Sequence, residues 1–331
     1  MDNRKRFQHI FNFQPVDRLP RLEWAAWWDK TLDRWHGEGL PRELPAGENL
    51  FHYFALDDHS QCWISPGGPS CPVPANYGGP LIADRADYLA IKEHLYPEAA
   101  FDAAGIEVRA AEQCTGKTIL WITLEGFFWW PRRLFGIEPH MYAFYDQPEL
   151  MKEINEDLLE FYFKVLEEFC AVCIPDFMTF AEDMTYNHGP MLSESLFDEF
   201  IAPYYARIVP VLKDHGILPF IDSDGDIREI VPWFEKLGTD GFLPLERQAG
   251  VDIAELRRDH PQLRMIGGFD KRVMHLGEEH MRMEFERLLP VMRQGGYIPS
   301  VDHQTPPEVS LNQYRLYLRL LEEYSIKAVK P

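Results

Sequence analysis

The sequence predicts an α/β chain folded as a (β/α)8 TIM barrel, and three observations carry that prediction. From about residue 118, short apolar runs alternate with helix-periodic stretches over roughly 200 residues. No Gly-rich dinucleotide fingerprint opens any of the helices, which places the alternative, an open doubly wound sheet, second. The length of 331 residues exceeds a usual domain but suits one barrel domain over 1–331, because such barrels routinely pass about 250 residues.

The elements follow in order. Residues 21–25 (RLEWA) read as a first strand, and a weaker one lies near 61–64. Residues 118–124 (TILWITL) are a compact strand. The helix over 148–173 opens PELMKEINEDLLEFY, with acids in its first turn where the helix dipole favours them. Residues 177–180 (FMTF) form a strand, and Ser193 caps a helix that runs through IVPVLKDH to Gly216. The strand 217–221 (ILPFI) leads to a helix over 226–237, stopped by Gly238. Strand 242–245 precedes helix 251–258, strand 263–266 precedes helix 278–292, and strand 297–301 precedes the last helix, 310–324. With both early strands the count is eight, which closes a barrel. Residues 37–90, containing GPSCPVPANYGGP, make a long Pro/Gly-rich N-terminal excursion expected to lie over the barrel mouth.

Composition narrows the function. Hydrophobic residues at 46% and aromatics at 14% supply a large core, so disorder is excluded. The net charge of −20 argues against nucleic acid and anionic membranes, since both need a basic footprint. Five scattered cysteines make no disulfide framework. Cys170 and Cys173 have CxxC spacing but end an apolar helical run, so they read as packing residues. The start, MDNRKRFQHIFNF, has no apolar leader region, and no apolar run reaches about 18 residues. The expectation is a reduced, soluble, cytoplasmic protein.

Chemistry gathers at the strand ends. Glu125, Glu182, Asp183, Asp222, Asp224, Glu246, Asp270 and Asp302 with His303 each follow a predicted strand. In a barrel these ends converge on one mouth, where active sites lie. Some acids serve as helix caps, and Asp226 and Asp252 fit that role. A whole ring of carboxylates needs a metal, a cationic group or protonation, because like charges within about 6 Å raise one another's pKa.

The segment FIDSDGDI (220–227) begins like a calcium loop. That loop needs Gly at its sixth position and Glu at its twelfth; counting from Asp222, those places hold Ile227 and Trp233. What remains is a strand end whose alternate residues, Asp222 and Asp224, share a face. With His303 they make an oxygen-rich, one-imidazole set suited to a divalent transition metal, zinc foremost, or they hold substrate directly. Glu182, Asp183, Glu246 and Asp270 are the catalytic candidates. Glu125, Trp129, Trp130 and His188 are the substrate-contact candidates, the tryptophans as a stacking wall for a flat ligand. Arg132 and Arg133 adjoin that wall and are the paired basic residues near a strand end.

The motifs RKRFQHIFNFQPVDRLPR, FAEDMTYNHGPMLS, FIDSDGDI, DGFLPLERQAGVDIAELRRDHPQLRMIGGFDKR and GGYIPSVDHQTPPEVSLNQY resemble the uroporphyrinogen decarboxylase superfamily, and more closely its methyltransferase-like branch. The resemblance covers nearly the whole chain and implies a (β/α)8 barrel. The decarboxylase itself works without a cofactor on an octa-carboxylate, through arginines after its first strand. Here that region reads RLEWAAWWDK, with Glu23 and tryptophans where cations are expected. The methyltransferase branch implies methyl transfer from a small methylated or methoxylated substrate to a corrinoid protein. Its His-x-Cys metal pair falls on Asp222-Ser223-Asp224, and its last Cys falls on His303. The resemblance thus implies a metal site with altered ligands, Asp222, Asp224 and His303, acting on a methoxy or hydroxyl oxygen. Glu182 and Asp183 are then placed for further ligation or for proton transfer to the leaving oxygen. The alternative is cofactor-free decarboxylation of uroporphyrinogen or another carboxylate.

Overall fold

A computed structural model describes residues 1–25, 27–44 and 48–330. Among the described residues nine strands occur in chain order: β1 (His59–Ile64), β2 (Ile119–Glu125), β3 (Phe177–Ala181), β4 (Thr185–Tyr186), β5 (Gly189–Pro190), β6 (Leu218–Asp222), β7 (Gly241–Leu243), β8 (Arg264–Phe269) and β9 (Tyr297–Val301). Seven of them form one curled parallel sheet, ordered β1-β2-β3-β6-β7-β8-β9. The remaining pair, β4 and β5, make a small antiparallel hairpin just beyond β3. Helices connect successive parallel strands, as parallel pairing requires. Pro148–Val172 leads from β2 to β3, Ala202–Asp214 to β6, and Glu278–Met292 to β9. β2, β3 and β9 are buried along their whole length, the signature of a sheet covered on both faces.

The predicted first strand is corrected. Residues 21–25 form no ladder. They are tied at both flanks by other contacts: the backbone N–H of Asp57, just ahead of β1, donates to the Arg21 carbonyl at 2.8 Å, and the Trp24 indole donates to the Val301 carbonyl of β9 at 2.8 Å. Three further boundaries differ. The helix expected after Ser193 is two helices, Glu194–Phe200 and Ala202–Asp214, broken at Ile201 with Pro203 in the new first turn. The helix expected over 226–237 shrinks to Val231–Glu235, because Asp226 turns back to bind the Arg228 N–H and guanidinium. The strand expected over 242–245 ends at Leu243 before Pro244, which has no N–H to give a ladder.

The N-terminal helix Asn3–Phe11 covers the end of the sheet opposite the acids. Phe7 packs on Phe177 and Phe11 on Phe220, with ring centroids 5.1 and 5.3 Å apart. The register then levels the acid-bearing ends. Glu125 lies opposite Ala181, Ala181 opposite Asp222, and Asp222 opposite Leu243. Part of the 37–90 excursion, residues 45–47, lies outside the described residues. No described helix is long and apolar enough to cross a membrane.

Candidate functional site

Glu182 is the most deeply engaged acid of the ring. It follows β3, is fully buried, and accepts four hydrogen bonds. Oε1 takes the Phe127 N–H at 2.9 Å and the Tyr205 hydroxyl at 2.5 Å; Oε2 takes the N–H groups of Phe128 and Trp129 at 2.8 and 3.2 Å. Burial raises its pKa to about 7 while these donors pull it down. The carboxylate fills the turn after β2, where a Cβ on Gly126 would stand 2.1 Å from Glu182 Cδ. Glu182 therefore fixes the start of the helix Trp129–Phe135. Glu125, at the end of β2, is also buried and pairs with the Arg133 guanidinium. Burial first, against the pull of Arg133, sets its pKa at about 7, and its Oε2 is buried without a hydrogen-bond partner.

The opposite side of the ring is built differently. Asp224, Glu246 and His303 each turn one ligand atom to a common point, all within 4.8 Å of one another. His303 Nε2 stands 3.3 Å from Asp224 Oδ2. Burial opposes a charge on the imidazole, but Asp224 outweighs it and raises the His303 pKa. Glu246 is buried; its Oε2 accepts the Gly225 N–H at 2.9 Å and its Oε1 meets Gln248 at 3.1 Å and Lys271 Nζ at 3.3 Å. Two oxygen or nitrogen ligands of one zinc-like ion lie at most about 4.2 Å apart, so small side-chain rotations bring this set to ligand distance. Two carboxylates and one imidazole are a sound donor set for a divalent transition metal.

Asp222 is not in this group, and Glu246 occupies the expected third place. The reason is local. The alternation of side chains holds only within β6, which ends at Asp222; the chain then turns, with Gly225 at φ +86°. Asp222 stands instead beside Asp183 and Asp224. Burial and these two carboxylates push its pKa well up. Asp183 is at about 6, from burial and then Asp224, while its Oδ1 accepts the Asp224 N–H at 3.2 Å.

Trp129 and Trp130 line a cavity of ≈ 510 Å³ between the helix Trp129–Phe135 and the Pro/Gly-rich residues 65–81. The guanidinium carbons of Arg132 and Arg133 stand 5.0 and 5.4 Å from the centroids of Trp129 and Trp130. Trp130 is buried, its indole donating to the Tyr96 hydroxyl at 3.3 Å. Of the other candidates, His188 is exposed at the β4–β5 tip, its ring 5.9 Å from that of Tyr186. Asp270 caps the turn after β8 and pairs with Arg272 at 2.8 Å. Asp302 is buried and holds the N–H groups of Arg247 and Lys271.

Three contributors escaped the sequence reading. Lys271 pairs with Glu246, and its position after the strand-end Asp270 was the available signal. Tyr205 and Trp24 act from helix and loop positions that no local pattern marks; Trp24 stands edge-on to His303 with centroids 6.0 Å apart.

Among solved structures, the chain is similar to a protein described as a vitamin B12-independent methionine synthase of Listeria monocytogenes, at 13% identity, covering 95% of this chain and 98% of that one, with TM-score 0.45. It is also similar to a B12-independent methionine synthase of Shewanella sp. W3-18-1 at 13% identity, covering 69% and 66%, with TM-score 0.36. A fungal β-1,4-galactanase overlaps at 9% identity, 89% and 98% coverage and TM-score 0.41. No curated protein matches. Residues 135–324, more than half of the chain, match the model of the uroporphyrinogen decarboxylase family, and this stretch carries β3 to β9 with Glu182, Asp224, Glu246 and His303. The chain belongs to the uroporphyrinogen decarboxylase family.

Proposed function

We propose that this protein is a metal-dependent methyltransferase that moves a methyl group from a small methylated or methoxylated substrate to a corrinoid protein. The observation that carries the reading is the convergence of Asp224, Glu246 and His303 at the carboxyl ends of the strands. A divalent transition metal, zinc foremost, supplies Lewis-acid chemistry to a substrate oxygen. Asp224, Glu246 and His303 hold that ion. Asp183, with its carboxyl raised to about 6 by burial and Asp224, is poised to pass a proton to the leaving oxygen. Glu182 keeps the aromatic wall in place rather than meeting substrate, since all four of its contacts are internal. The same reading takes residues 21–25, which are tied beside β1 and β9 without a strand ladder, as the segment that closes the barrel, with the excursion over its mouth, in a cytoplasmic protein.

The competing reading, a cofactor-free decarboxylase, needs cations in residues 21–30. Glu23 there is buried and bound by Ser300 and Tyr314, and Arg21 is paired with Glu322. Elemental analysis of protein purified without chelator is expected to find close to one transition metal per chain, lost in Asp224→Ala and His303→Ala. Methyl transfer to a corrinoid protein that persists undiminished in both variants and in chelator would sink the proposal. Chelator-insensitive release of CO2 would replace it with the decarboxylase.

A further inference from the structure

The cavity beside Trp129 is lined by a cation that makes no direct ion pair among the described residues. Arg132 is half-buried, and its only hydrogen bond goes to a neutral acceptor, the Asp183 carbonyl, at 3.2 Å. The neighbouring Arg133, by contrast, is matched by Glu125. A guanidinium kept from water without a direct ion pair is costly: burial lowers the proton affinity of Arg132, and the Asp183 carboxylate only partly opposes it. The remaining walls are largely apolar: Val73, Leu81, Trp129, Trp130 and Ile137. They are also pre-formed. The Gly78 carbonyl accepts the Ile137 N–H at 3.0 Å, and the Leu134 carbonyl takes the Leu81 N–H at 2.7 Å. A Cβ on Gly136 would stand 2.8 Å from the Pro80 nitrogen, so the excursion lies directly on the helix end.

One cavity residue links it to the metal candidates. Arg132 donates to the carbonyl of Asp183, whose carboxylate accepts the Asp224 N–H. We infer that this cavity selects the substrate as an aryl carboxylate, the ring against Trp129 and the apolar wall, the carboxylate on the Arg132 guanidinium. The inference rests on the methyltransferase reading for the identity of the ligand as substrate, and names its class. The volume of ≈ 510 Å³ falls in the range of small-molecule sites and suits a single substituted ring. A carboxylate meets Arg in a planar, charge-assisted pair, and the ring meets the indole face, so each half of the ligand answers a feature already present.

The test is calorimetric titration of the full chain, stripped of metal by chelator, with 4-methoxybenzoate, methoxybenzene and inorganic phosphate. The carboxylate is expected to bind about tenfold or more tightly than the neutral ether, the worth of one charge-assisted contact, and more tightly than phosphate. Arg132→Gln is expected to erase the preference for the carboxylate, and Arg133→Gln to keep it. Equal binding of the ether and the carboxylate, no binding of the carboxylate, phosphate binding as tight as the carboxylate, or a preference that survives Arg132→Gln would each overturn the inference. If Arg132→Gln does not fold, the three ligands on the unmodified protein decide. Metal is absent from the titration, so its failure leaves metal-dependent methyl transfer standing. Loss of metal uptake in Asp224→Ala leaves the titration as it was.

Discussion

The two sides of the acid ring start alike and end differently. Glu125 and Glu182 on one side, and Asp224 and Glu246 on the other, all stand at or just past strand ends. On the first side the carboxylates are sealed in, and Glu182 is surrounded by four donors from its own fold. On the second side Asp224 keeps 41% of its side chain accessible and His303 keeps 25%, and their ligand atoms face one point with Glu246. Glu182, with its acceptors filled, is a scaffold part, and Asp224, open beside the His303 imidazole, is the group left free to bind. Between Glu182 and Asp224 the number of internal donors and the exposure make the distinction.

That contrast predicts a ranking of effects. Glu182→Ala is expected to cost most, about 3 to 5 kcal/mol in denaturant unfolding, since three N–H groups and the Tyr205 hydroxyl lose their acceptor. Gly126→Ala should follow it at about 1 to 3 kcal/mol, because its Cβ has nowhere to go but into that carboxylate. A loss under about 1 kcal/mol for Glu182→Ala would break the comparison.

The buried glutamates, two on the sealed side and Glu23 beside β9, also predict a pH dependence. Glu23, Glu125 and Glu182 have folded pKa values of about 7 against the ordinary 4.5, all raised chiefly by burial. The folded chain then holds protons that the unfolded chain releases. Their contribution is complete below about pH 4.5 and is lost as pH climbs to about 7, at roughly 3 kcal/mol for each group. Melting temperatures should fall across that window, and Glu23→Gln or Glu125→Gln should flatten the slope. A flat or rising profile in the unaltered protein would contradict the burial argument.

On the open side, Asp224→Ala and His303→Ala are expected to change stability by under about 1 kcal/mol while metal affinity drops by about tenfold or more. Equilibrium dialysis with zinc, alongside denaturation, separates the two quantities. The smallest effect belongs to Arg228→Ala, whose partner Asp226 lies outside both groups. Its half-exposed ion pair at 2.7 Å should contribute under about 1 kcal/mol.

Much of this frame can be read directly from the residues. The helix 278–292 and the strand 297–301 fall where periodicity puts them, since both are long, regular and bounded by Gly or polar residues. The capping role of Ser310 is equally local: its hydroxyl accepts from Gln313 N–H three residues on. The first strand failed because RLEWA has strand-like alternation, yet its polar groups are claimed by Asp57, Ser300 and Tyr314 from distant parts of the chain. Asp222 was grouped with Asp224 by an alternation that ends with β6 itself.

By itself the sequence determined the β/α alternation, the placing of acids at the strand ends and the family motifs, because these depend on period, caps and order along one chain. Only the tertiary structure decided which acids stay open. Glu182 finds its donors at Phe127 and Tyr205, 55 residues behind it and 23 ahead, and Glu246 meets His303 across two further strands. Hydrogen-bond saturation and burial are properties of neighbours in space, so a strand-end acid becomes a clamp on one side of the ring, as Glu182, and a candidate ligand on the other, as Asp224.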